Sequence, residues 1–267
     1  MHSSYRPRRF DYGVHPSQFA ELWVPDQTTH LPVAIIIHGG FWREKYGAEF
    51  GTPLAHDLYE RGYVVWNLEY RRTCGGEGGW PETFLDIAAG IDALEMALQS
   101  TGIRSMPRIA IGHSAGGHLA LWAAGRHRLP VQAPGALPAG QQCLDAVISQ
   151  AGVLDLGLAD SLGLSDGAAK TLLGCTKDQD PERWKWADPA TQVPLGVPLV
   201  MLHGTDDEDV PVQLAREFAD RAMEVDKSVD YIEFEGDHYG LITVGDNAWS
   251  LCIEALEKLE TTVLVRE

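Results

Sequence analysis

The chain has 267 residues, 45% of them hydrophobic and 22% charged, the balance of an ordinary folded protein and not of a disordered segment. Its 38 Asp and Glu outnumber 21 Lys and Arg, and a formal charge of −17 repels polyanions, which argues against nucleic acid as a partner. The length suits one large α/β domain, expected over 1–267, and is short for two.

The chain opens Met-His-Ser-Ser-Tyr-Arg, without the apolar core of a signal peptide. Arg6, Arg8 and Arg9 read as a solvated or docking arm. The longest apolar run, 32–37, is far too short to cross a bilayer, so no membrane partner is expected. Cys74, Cys143, Cys175 and Cys252 are widely spaced and form no C-x-x-C pair, which suggests reduced thiols and a cytoplasmic location. A homodimer is left open.

Residues 19–24 alternate between two faces, as a half-buried strand does, and Pro25-Asp26 ends them. The character then changes. Val33-Ala34-Ile35-Ile36-Ile37 is continuously apolar, and 63–68, 108–111, 146–148 and 198–202 repeat the theme, as strands buried on both faces of a parallel sheet do. Between them run segments of helical spacing: Phe84, Ile87, Ala88, Ile91, Leu94 and Leu98, and later Leu214, Phe218, Ala219 and Met223. Alternating strands and helices predict a mostly parallel, doubly wound sheet flanked by helices, with its ligand crevice beyond the carboxyl ends of the strands.

His38-Gly39-Gly40-Phe41-Trp42 follows the first buried strand directly. Consecutive glycines let main-chain amides approach a substrate, and the amides of Gly40 and Phe41, with that of Ala115, are candidates to hold an oxyanion. The competing reading is a tight turn over a packed histidine, and His38 is expected to be structural. Gly75-Gly76-Glu77-Gly78-Gly79 reads as a mobile rim loop, followed by Trp80. Trp42 and Trp80 are candidate substrate-binding residues, with Trp184 and Trp186 further options for an apolar wall.

Gly112-His113-Ser114-Ala115-Gly116 stands between a β-branched run and a helix-forming stretch, 115–125. A serine in a G-x-S-x-G turn between strand and helix is lifted clear of the backbone, toward a base and the helix's free N–H groups. His113 is expected to pack into the crevice floor. The polar stretch 126–142 reads as a surface loop, and 155–191 as a small helical insertion over the crevice.

His203-Gly204-Thr205-Asp206-Asp207-Glu208-Asp209 follows the strand at 198–202 and offers four acidic side chains. Asp207 is preferred on spacing as the carboxylate that orients a histidine, with Asp206 in reserve. His238 follows the strand-like 231–234 and is the candidate general base. Ser114, Asp207 and His238 occur in the chain order expected of this fold. No H-E-x-x-H or H-x-H pattern occurs among ten histidines, so neither metal nor cofactor is expected.

Taken together, these motifs resemble an α/β-hydrolase. His38 to Trp42, Tyr70-Arg71 and Gly112 to His118 are similar to kynurenine formamidases and to hormone-sensitive-lipase-like esterases, with Phe41 standing where the esterase loop has a third glycine. The stretch 155–191, with Ala187-Asp188-Pro189, also resembles its counterpart in prolyl-oligopeptidase-like hydrolases. The resemblance implies a cofactor-independent serine hydrolase of a small carboxylic ester or aryl formamide. A peptidase of short peptides and a hydrolase-fold binding module without catalysis are the alternatives.

Overall fold

The computed structural model describes residues 6–26 and 30–265, and the reading of the first five residues lies outside them. Among the described residues, eight strands form one sheet: β1 (Arg8–Asp11), β2 (Phe19–Trp23), β3 (Val33–Ile37), β4 (Val64–Leu68), β5 (Arg108–His113), β6 (Ala146–Gln150), β7 (Leu199–Gly204) and β8 (Val229–Phe234), in the order β1-β2-β4-β3-β5-β6-β7-β8. The strands from β4 to β8 in that order pair in parallel, and β2 is antiparallel to both its neighbours. The central strands β3, β4, β6 and β7 are buried at every position, which is why their sequences are apolar on both faces.

The helices are α1 (Thr52–Glu60), α2 (Glu82–Asp92), α3 (Leu94–Ser100), α4 (Ala115–Ala124), α5 (Leu156–Ser161), α6 (Ala168–Leu173), α7 (Pro181–Ala187), α8 (Val212–Val225) and α9 (Asn247–Leu264). Leu54 and Leu58 of α1 and Trp249 and Leu256 of α9 cover one sheet face, against Ile36, Val65, Ile111 and Ile148. Phe84 and Ile87 of α2, Leu119 and Trp122 of α4, and Phe218 of α8 cover the other, against Ile35, Ile37, Trp66 and Val147. Each such aliphatic or aromatic side chain contributes about 1.5–3 kcal/mol on burial.

The N-terminal arm differs from its sequence reading. Arg8–Asp11 is an edge strand on β2, with the Arg9 guanidinium 3.7 Å from the centre of the Phe19 ring and its Nε donating to Asp11 at 2.9 Å. The helical pattern over 84–98 is two helices, α2 and α3, meeting at Ala93. In the polar stretch 126–142, Arg126 is buried and forks onto the Asp92 carboxylate at 3.0 Å through both terminal nitrogens.

Three short helices, α5 to α7, lie between β6 and β7 and are tied to α4 and to the loop after β3. On α4, His118 Nε2 donates to the Ala187 carbonyl at 2.9 Å and Trp122 Nε1 to the Trp186 carbonyl at 3.0 Å. The Arg43 guanidinium donates to the Ser165 carbonyl. The glycine-rich rim is pinned as well: Gly78 N–H bonds Arg72 O, Gly79 N–H bonds Thr83 Oγ1, and Trp80 N–H bonds Leu172 O. These bonds fix the C-terminal end of the stretch 75–79, at Gly78 and Gly79. Among the described residues, no helix is long and apolar enough to cross a membrane.

Candidate active site

Ser114 sits in the turn between β5 and α4 with φ 55° and ψ −118°, a conformation that non-glycine residues seldom adopt. The turn is closed by main-chain bonds: Ser114 N–H donates to Gln150 O at 2.8 Å, and Ser114 O accepts from Val153 and His118. Glycine is required on both sides. A Cβ on Gly116 would lie 2.0 Å from the Ile37 carbonyl oxygen, and one on Gly112 would lie 2.2 Å from the Gly116 carbonyl oxygen. Ala115 begins α4, so its amide has no partner within the helix.

The loop after β3 crosses beside this turn. Gly40, Phe41 and Trp42 have φ of 106°, 47° and 56° in succession, a left-handed run that follows Gly39, where an added Cβ would lie 3.0 Å from Ser114 Cβ. His38 anchors the loop from below. Its Nδ1 bonds Gly39 O at 2.9 Å, its Nε2 lies 3.2 Å from Glu69 Oε1, and its ring stacks on Tyr70 at 4.4 Å. The Tyr70 hydroxyl donates to His38 O at 2.8 Å. Burial pushes the Glu69 carboxyl upward, but the contacts with His38 and Arg72 and the Ala48 amide prevail and hold it below its usual value.

Asp207 and His238 meet from the ends of β7 and β8. His238 Nδ1 donates to Asp207 Oδ2 at 2.6 Å, with the carboxylate wholly buried. Asp207 Oδ1 accepts from the amides of Asp209 at 2.9 Å and Val210 at 2.7 Å. Burial alone would raise the Asp207 carboxyl. Contacts with the imidazoles of His203 and His238, together with the Val210 amide, overcome this and hold it well below the ordinary carboxylate range. With Nδ1 committed to the carboxylate, His238 Nε2 is left as the acceptor. Asp206, the reserve candidate, is exposed.

His113 links the two halves. Its Nε2 donates to the His238 carbonyl at 2.9 Å, and the two rings are 4.5 Å apart. Burial, aided by the neighbouring His238, pushes the His113 imidazole down to about 3, so it stays neutral with its proton on Nε2. Among the described residues, no hydrogen bond joins Ser114 Oγ to His238 Nε2. The carboxylate and imidazole are therefore engaged, while the hydroxyl stands one residue from the histidine that carries the His238 loop.

Two of the tryptophan candidates are corrected. Trp42 is 1% exposed, packed edge-on against His118 at 5.1 Å, because the left-handed φ at its position turns the indole into the core. Trp184 is equally buried, its Nε1 donating to Cys175 O. Trp80 is half-buried against Phe84, and Trp186 lines a separate cleft with Arg128 and Lys185. Among the described residues, no group of three His, Cys, Asp or Glu side chains is arranged to hold a metal ion. Glu69 and His203 carried no role in the sequence reading. Glu69 precedes the Tyr70-Arg71 motif and His203 lies four residues before Asp207, but only the folded chain brings each beside its partner.

The profile of the BD-FAE family matches residues 21–222. Esterase LipC of Mycobacterium tuberculosis is 30% identical over 242 residues, which cover 87% of this chain and 59% of LipC. The chain thus spans about three fifths of that relative's length. A thermophilic esterase of Thermogutta terrifontis superposes with a TM-score of 0.73 at 21% identity, covering 94% of this chain and 90% of its own. A truncated carbohydrate esterase from gut microbiota gives 0.77 at 19% identity, covering 97% and 96%. At these identities the two superpositions establish the α/β-hydrolase fold alone.

Proposed function

The chain belongs to the BD-FAE family, and from that membership and the geometry above we propose that it is a serine hydrolase of small carboxylic esters, with Ser114, His238 and Asp207 as its triad. The observation that carries this reading is the 2.6 Å bond from His238 Nδ1 to the buried Asp207 carboxylate, beside a strained serine turn. The names of the relatives support an ester as the bond cleaved.

In this mechanism Ser114 Oγ attacks the acyl carbonyl carbon while its proton passes to His238 Nε2. Asp207 holds the imidazole in the correct tautomer and stabilises the imidazolium that forms. The carbonyl oxygen becomes an oxyanion facing the amides of Gly40, Phe41 and Ala115, each such donor being worth roughly 10²- to 10³-fold in turnover. Collapse of the intermediate expels the alcohol, which takes the proton from His238. Water, deprotonated by His238, then releases the acid and restores the serine. A neutral His113 beneath the base adds no competing charge.

Aryl formamides are the finer alternative, because Phe41 occupies the loop position that esterases give to glycine. Labelling with a fluorophosphonate probe, followed by rates on p-nitrophenyl acetate, longer acyl esters and N-formylkynurenine, tests both. Wild type is expected to be labelled and Ser114→Ala not, with esters turned over faster than the formamide. Labelling that persists in Ser114→Ala would remove Ser114 from the mechanism, and a wild type that is never labelled would favour a binding module.

A further inference from the structure

The Asp207 carboxylate oxygen that meets His238 has a second imidazole neighbour. His203, at the end of β7 and 1% exposed, has its Nε2 at 2.8 Å from the Val210 carbonyl oxygen and at 3.2 Å from Asp207 Oδ2. Both neighbours are acceptors, so this nitrogen carries the proton. The hydrogen bond is directed at the carbonyl, and the carboxylate takes the longer branch.

We propose that His203 is a positioning residue for the reaction: its Nε2–H clamps the Asp207 carboxylate to the Val210 main chain and keeps the shared oxygen in line with His238 Nδ1. The inference rests on the triad reading above and adds a side chain to it that touches no substrate.

The acceptor geometry around Asp207 is saturated. A carboxylate offers about four acceptor directions. Asp207 Oδ1 uses two on the amides of Asp209 and Val210, and Oδ2 uses two on His238 and His203. Rotating the carboxylate would break bonds on both oxygens, in a site closed to replacement water by full burial. The clamp also has an electrostatic consequence. A second N–H dipole on Oδ2 draws charge from the oxygen that stabilises the His238 imidazolium. The groups facing this centre are His203 from β7, Glu233 paired beside it on β8, His238 and its neighbour Tyr239 from the loop after β8, Asp209 from the loop after β7, and neutral His113 from the serine turn.

The test compares His203→Phe, which keeps the ring and removes the donor, with His203→Gln, whose Nε2–H reaches a similar position. His203→Phe is expected to lower kcat on p-nitrophenyl acetate on the order of 10- to 100-fold, the worth of one hydrogen bond to a charged group. Its KM should stay within about threefold, and the acid limb of its kcat/KM profile should move to higher pH. His203→Gln should recover most of kcat and the wild-type limb. A purely structural histidine would alter the melting temperature without moving the limb.

A folded His203→Phe enzyme with wild-type kcat and wild-type acid limb overturns the proposal. If that variant does not fold, Gln is compared with His203→Asn, whose amide is too short to reach, and equal pH profiles for the two overturn it instead. Fluorophosphonate labelling of wild type separates the cases: absence of labelling defeats the triad itself, whereas normal labelling with unresponsive His203 variants defeats only the clamp.

Discussion

The imidazole of His113 donates to the main-chain carbonyl of His238 at 2.9 Å, so the residue before Ser114 holds the loop that bears His238. His113→Ala removes both this donor and the ring under His238. The expected outcome is a kcat at least about tenfold lower on an activated ester, with KM little changed, since about 1.4 kcal/mol of misplacement suffices for a factor of ten. Steady-state kinetics check it, and an unchanged kcat would show that the loop holds its position without this bond.

Acid should weaken the fold through its buried imidazoles. Burial pushes His113 down to about 3 and His118 down to about 4, whereas both take up protons near pH 6.5 in an unfolded chain. Below about pH 6.5 the unfolded state therefore binds protons that the native state refuses. Their contribution is complete above that pH and is lost progressively down to pH 3–4. Melting temperatures measured from pH 7 to pH 4 should fall, and His118→Gln should show a shallower slope over this window.

Asp188 acts with the opposite sign. Burial, with the nearby Asp155 carboxylate second, pushes its carboxyl up to about 7 from an ordinary 3.8. The native state keeps this proton over a range in which the unfolded state has lost it, so stability declines as pH rises from about 4 to about 7 and the penalty is complete above. Asp188→Asn, which retains an acceptor for the Ala190 amide, should melt higher than wild type at pH 8, with the gap shrinking toward pH 4. Equal differences at both pH values would show that ionisation of Asp188 does not burden the fold.

The two adjacent aspartates should differ sharply. Asp207→Asn is expected to cost roughly 10⁴-fold in kcat, because a carboxamide can no longer hold the required histidine tautomer. Asp206→Asn, whose side chain is exposed, should remain within a few-fold of wild type. Rates on p-nitrophenyl acetate decide between them, and a reversed ranking would move the carboxylate role to Asp206.

The buried strands were legible because a sheet covered on both faces demands unbroken apolar runs, as in 33–37 and 198–202. The serine turn was legible because the glycine at 112 meets a local steric demand, a Cβ there striking the Gly116 carbonyl oxygen four residues on, whereas the demand at 116 comes from the distant Ile37 carbonyl. The edge strand Arg8–Asp11 was not, since an edge strand needs no apolar alternation and four mostly polar residues resemble a solvated arm. The inward turn of Trp42 was hidden as well, because it depends on left-handed backbone at 41 and 42, which composition does not reveal.

Local order along the chain was sufficient to determine the alternation of strands and helices, the sharp turn that carries Ser114, and the candidates Asp207 and His238 at strand ends. Tertiary structure alone decided that Asp207 Oδ2 lies between two imidazoles, that His113 supports the His238 loop, and that Glu69 sits under His38. The physical reason is range. Turns and periodicities arise from neighbouring residues, whereas these contacts join residues 31 and 125 positions apart, or, for His203, span the loop that leaves β7.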